Sequence, residues 1–262
     1  METYKHKTIL ITGASSGIGE AFAKRLDELG ANLILTARSE DKLDQLASCM
    51  KNAIVISGDL SDKSFPKTLY NKINEKNLKI DILINNAGFG FSGLFLKSSF
   101  RNYEEMLNVN IYSLTELTHL FLEDMVKLGK GGIINVSSLA SYQPIPYFSI
   151  YAATKSYVTS FTLSLYEEYA DQGIHVMAVC PGYTKTNFNK RAKISSKSVP
   201  GYIMTSEDVV EESLKAFKNK KHIIINGKIN RFAKWFISFL PTKIAMKLSK
   251  NIIKKGMDNK RW

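Results

Sequence analysis

The chain has 262 residues, of which 44% are apolar, and a formal net charge of +12. That length buries a substantial core and is compatible with one α/β domain or with two smaller ones. With only Cys49 and Cys180, each within or beside an apolar stretch, the chain fits a reducing compartment better than a disulfide framework, and both are expected to be buried thiols.

The opening residues contain no apolar signal region. The longest apolar run near the other end, residues 235–240, falls far short of the roughly 20 residues that span a bilayer. A cytoplasmic protein, soluble or membrane-associated at its periphery, is the expectation. Charge is uneven: residues 228–262 hold ten lysines and arginines against Asp258 alone, so the main body is nearly balanced.

In chain order, short β-branched runs alternate with longer helical patterns, the signature of βα units winding a parallel sheet. A strand at 8–12 leads into a helix at 18–29, then a strand at 32–36 into a helix at 41–50. A strand at 53–57 precedes a helix at 64–75, and a strand at 81–84 precedes one long helix at 103–127. The strand at 132–136 is followed by a helix at 150–169. The last units are strands at 175–179 and 222–225 around a helix at 206–219. The Lys/Ser-rich stretch 190–198 is expected to be a mobile loop. The expected fold is a Rossmann-type, doubly wound, seven-stranded parallel sheet with helices on both faces. It occupies residues 1–227 and is followed by a basic amphipathic helical tail, 228–262, that is no independent domain.

Three patterns carry chemistry. Thr12-Gly13-Ala14-Ser15-Ser16-Gly17-Ile18-Gly19 joins the first strand to the first helix. Its glycines allow a tight turn and close approach to a pyrophosphate, which the helix N-terminus attracts. The second strand ends in Leu35-Thr36-Ala37-Arg38-Ser39 without an acid to hold a ribose 2′-hydroxyl. A guanidinium there pairs with a 2′-phosphate, which favours NADP(H) over NAD(H). Tyr151 and Lys155 lie four apart on a helix, so the ammonium is expected to lower the phenol pKa toward working pH.

These patterns, with Asn85-Asn86-Ala87-Gly88, Asn110, Ser138 and Pro181-Gly182 in matching order and strand placement, resemble the short-chain dehydrogenase/reductase family over residues 7–225. The resemblance implies an oxidoreductase that moves hydride between a nicotinamide and a carbonyl or secondary alcohol. Tyr151 would exchange the proton, Lys155 would tune Tyr151 and hold the nicotinamide ribose, Ser138 would hold the substrate oxygen, and Asn110 would fix Lys155 through water. Gly13, Ser15, Ser16, Gly17, Ile18, Gly19 and Arg38 would line the phosphate and adenosine side. Asp59 and Leu60 would meet the adenine, Asn86, Ala87 and Gly88 its ribose, and Pro181, Gly182 and Thr186 would close over the nicotinamide and pyrophosphate. Ser16 departs from the basic residue that NADPH-using members often carry there, so cofactor choice rests mainly on Arg38. No metal is expected.

Phe89, Phe91, Phe95, Tyr147, Phe148, Tyr183 and Phe188 follow the strand ends and point to a hydrophobic carbonyl or alcohol substrate. An NAD-dependent alcohol dehydrogenase and a 3-oxoacyl reductase are the alternatives within the family. Against a carrier-protein reductase stands the continuation of the chain for over thirty residues after Ile225. A nucleotide-binding redox sensor or scaffold acting through the tail is the alternative of another class. A homodimer or homotetramer through the helices at 103–127 and 150–169 is expected, and no nucleic acid. The tail interleaves Phe232, Trp235, Phe236, Phe239, Ile244, Met246, Leu248, Ile252 and Ile253 with lysines. Contact with an anionic membrane, a cover for the substrate cleft and a subunit contact are all open to it.

Overall fold

Alternate side chains of a strand point to opposite faces, so an aliphatic run inside a parallel sheet must be covered on both sides. In the computed structural model, which describes residues 3–188, 192 and 203–256, such runs form seven strands. They are β1 Thr8–Thr12, β2 Asn32–Thr36, β3 Ala53–Val55, β4 Ile82–Asn85, β5 Gly131–Val136, β6 Ile174–Cys180 and β7 Ile223–Ile225. All pair in parallel, in the order β3-β2-β1-β4-β5-β6-β7.

Ile9, Ile11, Leu33 and Leu35 face one layer, built from α1 Gly17–Glu28, α2 Glu40–Ala47 and α7 Ser206–Lys218. Leu10, Ile34, Leu83 and Ile133 face the other, where α3 Phe65–Glu75, α5 Leu114–Leu128 and α6 Ser149–Glu168 pack. The chain winds outward from β1 to β3 and then returns to place β4 on the other side of β1. The crevice above the carboxyl ends of β1 and β4 is therefore a topological switch point, where such sheets bind ligands.

The expected long helix at 103–127 is interrupted. α4 Phe100–Leu107 passes into a π-helical turn, Asn108–Ser113, before α5 begins. A π turn inserts one residue into the helical repeat and so escapes a 3.6-residue pattern. Cys49, expected to be buried, is exposed just beyond α2, whereas Cys180 is buried at the end of β6. Of the Lys/Ser-rich stretch expected to form a loop, only Ala192 lies within the described residues. After β7 come α8 Lys228–Ser238 and α9 Thr242–Gly256, within the stretch expected from sequence to be a helical tail.

A buried polar chain crosses the sheet beneath the crevice. Asn85 Nδ2 donates to Thr118 Oγ1 at 3.0 Å and to Asn135 Oδ1 at 2.9 Å. Asn135 Nδ2 donates to Thr162 Oγ1 at 3.0 Å, which donates onward to Val158 O at 2.6 Å. Asn135→Ala should strand its neighbours in a dry layer and cost about 1–3 kcal/mol. A urea midpoint that does not fall, at unchanged slope, would contradict this accounting.

Candidate active site

The first-strand turn is held to the fourth strand by one hydroxyl. Thr12 Oγ1 accepts from the backbone N–H groups of Asn86 and Ala87, each at 3.0 Å. In return Asn86 Nδ2 donates to Thr12 O at 2.9 Å and Gly13 O at 3.2 Å. Gly13 and Gly17 take φ of +67° and +61°, which L side chains rarely adopt, and this turns the chain back into α1. Gly19 needs room instead, because a Cβ there would sit 2.3 Å from Gly13 O and 2.4 Å from Asn86 Nδ2. Ser16 leads α1 in extended backbone without a side-chain cap, so the first N–H groups face the crevice.

Around this turn opens a cleft of about 860 Å³. Gly13, Ser15, Ser16, Gly17, Ile18, Arg38, Asp59, Leu60, Asn86, Ala87, Gly88, Ser138, Tyr151, Lys155, Pro181, Gly182 and Thr186 all line it. Gly19 and Asn110 do not; each stands directly behind the wall. At one end, Arg38 Nη1 lies 3.9 Å from Asp59 Oδ2 and both side chains are about half exposed. Lys42, not anticipated from sequence, lines the same end together with Ser39, whose side chain makes no capping bond to α2. Its position within the first turn of α2 was the available signal.

At the other end α6 presents Tyr151 and Lys155 one turn apart, both buried. Ser137 Oγ donates to Lys155 O at 2.8 Å and so clamps α6 to the end of β5. Lys155 Nζ donates to Val136 O at 2.8 Å and lies 5.8 Å from the centroid of the Tyr151 ring. Ser138 is in extended backbone and its Oγ accepts from Ala140 N at 3.1 Å. The Tyr151 ring stacks on Phe148 at 4.4 Å and meets Phe188 at 5.3 Å.

Asn110 is fully buried in the π turn. Its Oδ1 accepts from Phe89 N at 3.1 Å, and its Nδ2 donates to Phe89 O and Thr154 Oγ1, each at 3.0 Å. A Cβ on Gly88 would lie 3.2 Å from both Asn110 Oδ1 and Lys155 Nζ. Asn110 thus fixes the backbone that flanks the ammonium, while the ammonium's own bond goes to Val136.

Burial governs the titration of this pair. Desolvation pushes the Tyr151 phenol up to about 12, against the opposing hydrogen bond from Ser138. Desolvation likewise brings the Lys155 ammonium down to about 8. The direction is opposite to the lowered phenol pKa expected from sequence, because desolvation of the ring exceeds the lowering by the Ser138 hydrogen bond. A protonated phenol beside an ammonium is an arrangement that donates a proton.

Of the seven rings assigned to substrate contact, Phe89, Phe148, Tyr183 and Phe188 line the cleft. Phe91 and Phe95 instead pack on Tyr103, and Tyr147 lines a separate hollow with Phe95. The local sequence offers no means of separating these groups, since all seven follow strand ends. Of the roles left open to the tail, covering the cleft is seen: Lys234 and Ile237 of α8 and Ser249, Ile252 and Ile253 of α9 close it. Lys234 Nζ lies 5.3 Å from the centre of the Tyr142 ring, and Ser249 Oγ donates to Pro144 O at 3.4 Å.

The model of the family described as short chain dehydrogenase matches residues 7–196. The chain belongs to the short-chain dehydrogenase family. Among curated relatives of this dehydrogenase, a ketoacyl reductase from Nostoc sp. is 33% identical over 232 residues, covering 86% of this chain and 80% of that protein. A very-long-chain 3-oxoacyl-CoA reductase from Macaca fascicularis is 34% identical over 253 residues, covering 94% and 79%. A solved short-chain dehydrogenase from Sphingobium yanoikuyae in complex with NADPH superposes with a TM-score of 0.80 at 30% identity, covering 90% of this chain and 96% of that one. As a dehydrogenase of this family, the protein is an oxidoreductase of carbonyl and alcohol groups that binds a nicotinamide nucleotide.

The titration of Lys155 gives a test of the site that needs no substrate. The unfolded chain keeps this proton up to about 10.5 and the folded chain releases it near 8, so between those values unfolding takes up a proton and stability rises with pH. Lys155→Met should flatten that rise by up to about 3 kcal/mol. The comparison is of urea unfolding free energies of the two proteins below pH 8 and near pH 10.5. A wild-type rise no steeper than the variant's would contradict a desolvated ammonium.

Proposed function

We propose that this dehydrogenase reduces a hydrophobic carbonyl, with NADPH as the hydride donor and a 3-oxoacyl thioester as the favoured substrate class. One observation carries the reading. The buried Tyr151 phenol and Lys155 ammonium sit in the cleft that Arg38 and Lys42 line at one end and that Phe148, Phe188, Ile237, Ile252 and Ile253 line as an apolar wall. The names of the Nostoc and macaque relatives, both reductases of oxoacyl groups, support the substrate class.

The nicotinamide nucleotide supplies the hydride when bound. The uncapped N-terminus of α1, with Ser15, Ser16 and Ile18, would hold its pyrophosphate, and Thr186 would close against Gly17. Arg38, Ser39 and Lys42 would receive the 2′-phosphate, Arg38 by a forked pair of N–H bonds. Asp59 would orient Arg38, while Leu60, fixed by the 2.6 Å bond from Ser113 Oγ to its carbonyl, would meet the adenine.

At the reacting carbon, the Ser138 hydroxyl would hold the carbonyl oxygen and the Tyr151 phenol would deliver its proton as negative charge develops there. A phenol held near 12 is still far more acidic than the alcohol being formed, so the transfer to its alkoxide oxygen runs downhill. The Lys155 ammonium would lower the cost of the resulting phenolate, and Asn110 would keep Gly88 and Phe89 from closing on it.

Tyr151→Phe should lower the rate of NADPH-dependent 3-oxoacyl thioester reduction by roughly 10²–10⁴-fold. Retention of NADPH binding in that variant, read by titration calorimetry, separates lost chemistry from lost binding. As Lys155 loses its charge above about 8, the wild-type reduction rate should fall with rising pH, a descent that leaves Tyr151 protonated. Arg38→Ala and Lys42→Ala should each weaken NADPH by about 10- to 100-fold while leaving NADH within a few-fold. Equal weakening of both nucleotides would remove the case for NADPH. NADPH binding with no turnover of ketones, aldehydes or 3-oxoacyl thioesters would favour a nucleotide sensor.

A further inference from the structure

α8 and α9 have two different faces. On α8, Asn230, Lys234 and Ile237 turn inward: Asn230 Nδ2 donates to Asn226 O at 2.7 Å, and the other two line the cleft. On α9, Ala245 and Ser249 are buried, and Ile252 and Ile253 line the cleft. This seating leaves the opposite side of α8 with Ile229, Phe232, Trp235, Phe236 and Phe239 at helical spacing, each at least half exposed. Trp235 meets Phe232 at 5.8 Å and Phe239 at 4.9 Å, so these rings already form one outward-facing patch.

Ile244 and Leu248 of α9 are also about half exposed. The turn around Leu94–Leu96 is a separate apolar segment, with Leu96 90% exposed; Leu94 and Phe95 share a hollow with Lys250. Chains seldom leave a patch of aromatic rings of this kind in water without a use for it.

Charge decides among occupants. Residues 228–256 carry eight lysines and arginines and no aspartate or glutamate. Lys228, Lys243 and Lys247 are exposed on the same two helices. Two copies of this surface pressed together would bring like charges into contact, whereas an anionic lipid surface neutralises them while the rings enter the headgroup layer. We propose that the outer face of α8 and α9 is a docking surface for an anionic lipid bilayer, with Trp235 at its centre. No helix among the described residues is long and apolar enough to cross a membrane, so the attachment is peripheral. The same two helices wall the cleft, which places its apolar end beside the lipid. The attachment itself does not depend on the chemistry proposed above.

The test uses full-length protein carrying Trp262→Phe, which leaves Trp235 as the sole tryptophan. Mixed with vesicles containing phosphatidylglycerol, it should co-sediment and its emission should shift to the blue, with quenching by brominated lipid. With vesicles of phosphatidylcholine alone, both signals should be much weaker. The exposed triple substitution Phe232→Ser, Phe236→Ser, Phe239→Ser and the double substitution Lys243→Glu, Lys247→Glu should each lower the partition coefficient about tenfold or more. NADPH binding and circular dichroism should be unchanged in both. Failure of the wild-type chain to co-sediment overturns the proposal. So does co-sedimentation without a spectral shift of Trp235, which marks surface adhesion only. A lipid-free dimer, seen by analytical ultracentrifugation and dissolved by the phenylalanine substitutions, assigns the patch to a second copy instead.

Discussion

The hydroxyl of Thr12 is the constraint on which the cleft depends. Two neighbouring strands leave the sheet in opposite directions at β1 and β4, and this splits open a crevice that nothing in the sheet itself would hold to a fixed width. By accepting from two successive N–H groups after β4, while Asn86 returns two bonds to the first turn, Thr12 sets that width with four hydrogen bonds. The approach is close enough that a Cβ on Gly13 would lie 2.9 Å from Ala87 Cα. The glycines are thus a consequence of the latch as much as of any ligand.

The second organising effect is dehydration. Tyr151 and Lys155 share a helix face, but their protonation follows from the apolar walls around them rather than from mutual attraction. Both neutral forms are favoured by burial, the phenol overwhelmingly and the amine partly. Walls that shed water in this way also suit an apolar substrate, so one physical cause would serve both the proton donation and the substrate class proposed above.

Much of the fold was legible because a parallel sheet writes itself in aliphatic runs: each of the seven strands lies within a few residues of its expected place. The lining of one end of the cleft was legible too, since Gly13 and Gly17 shape the local backbone and Arg38 follows directly on β2. What escaped detection was non-local. Lys42 reaches the cleft only because α2 starts where it does, and which tail residues would reach it, Lys234 and Ile252 among them, depends on how the tail folds back onto the domain. A ring such as Phe95, which stacks on Tyr103, has the same sequence surroundings as one that lines the cleft. Burial, which sets the direction of the Tyr151 shift, is a property of the assembled walls.

The π turn at Asn108–Ser113 has a consequence for the layers it joins. One additional residue turns everything after it by about 100° about the helix axis. Before the turn, Tyr103 and Met106 look into the small cluster around Phe89, Phe148 and Tyr151; after it, Leu117 and Phe121 look into the main layer beneath the sheet. A single continuous rod therefore feeds two separate cores, with Asn110 at the change of phase. Restoring regular winding by removing one residue would force a choice between them.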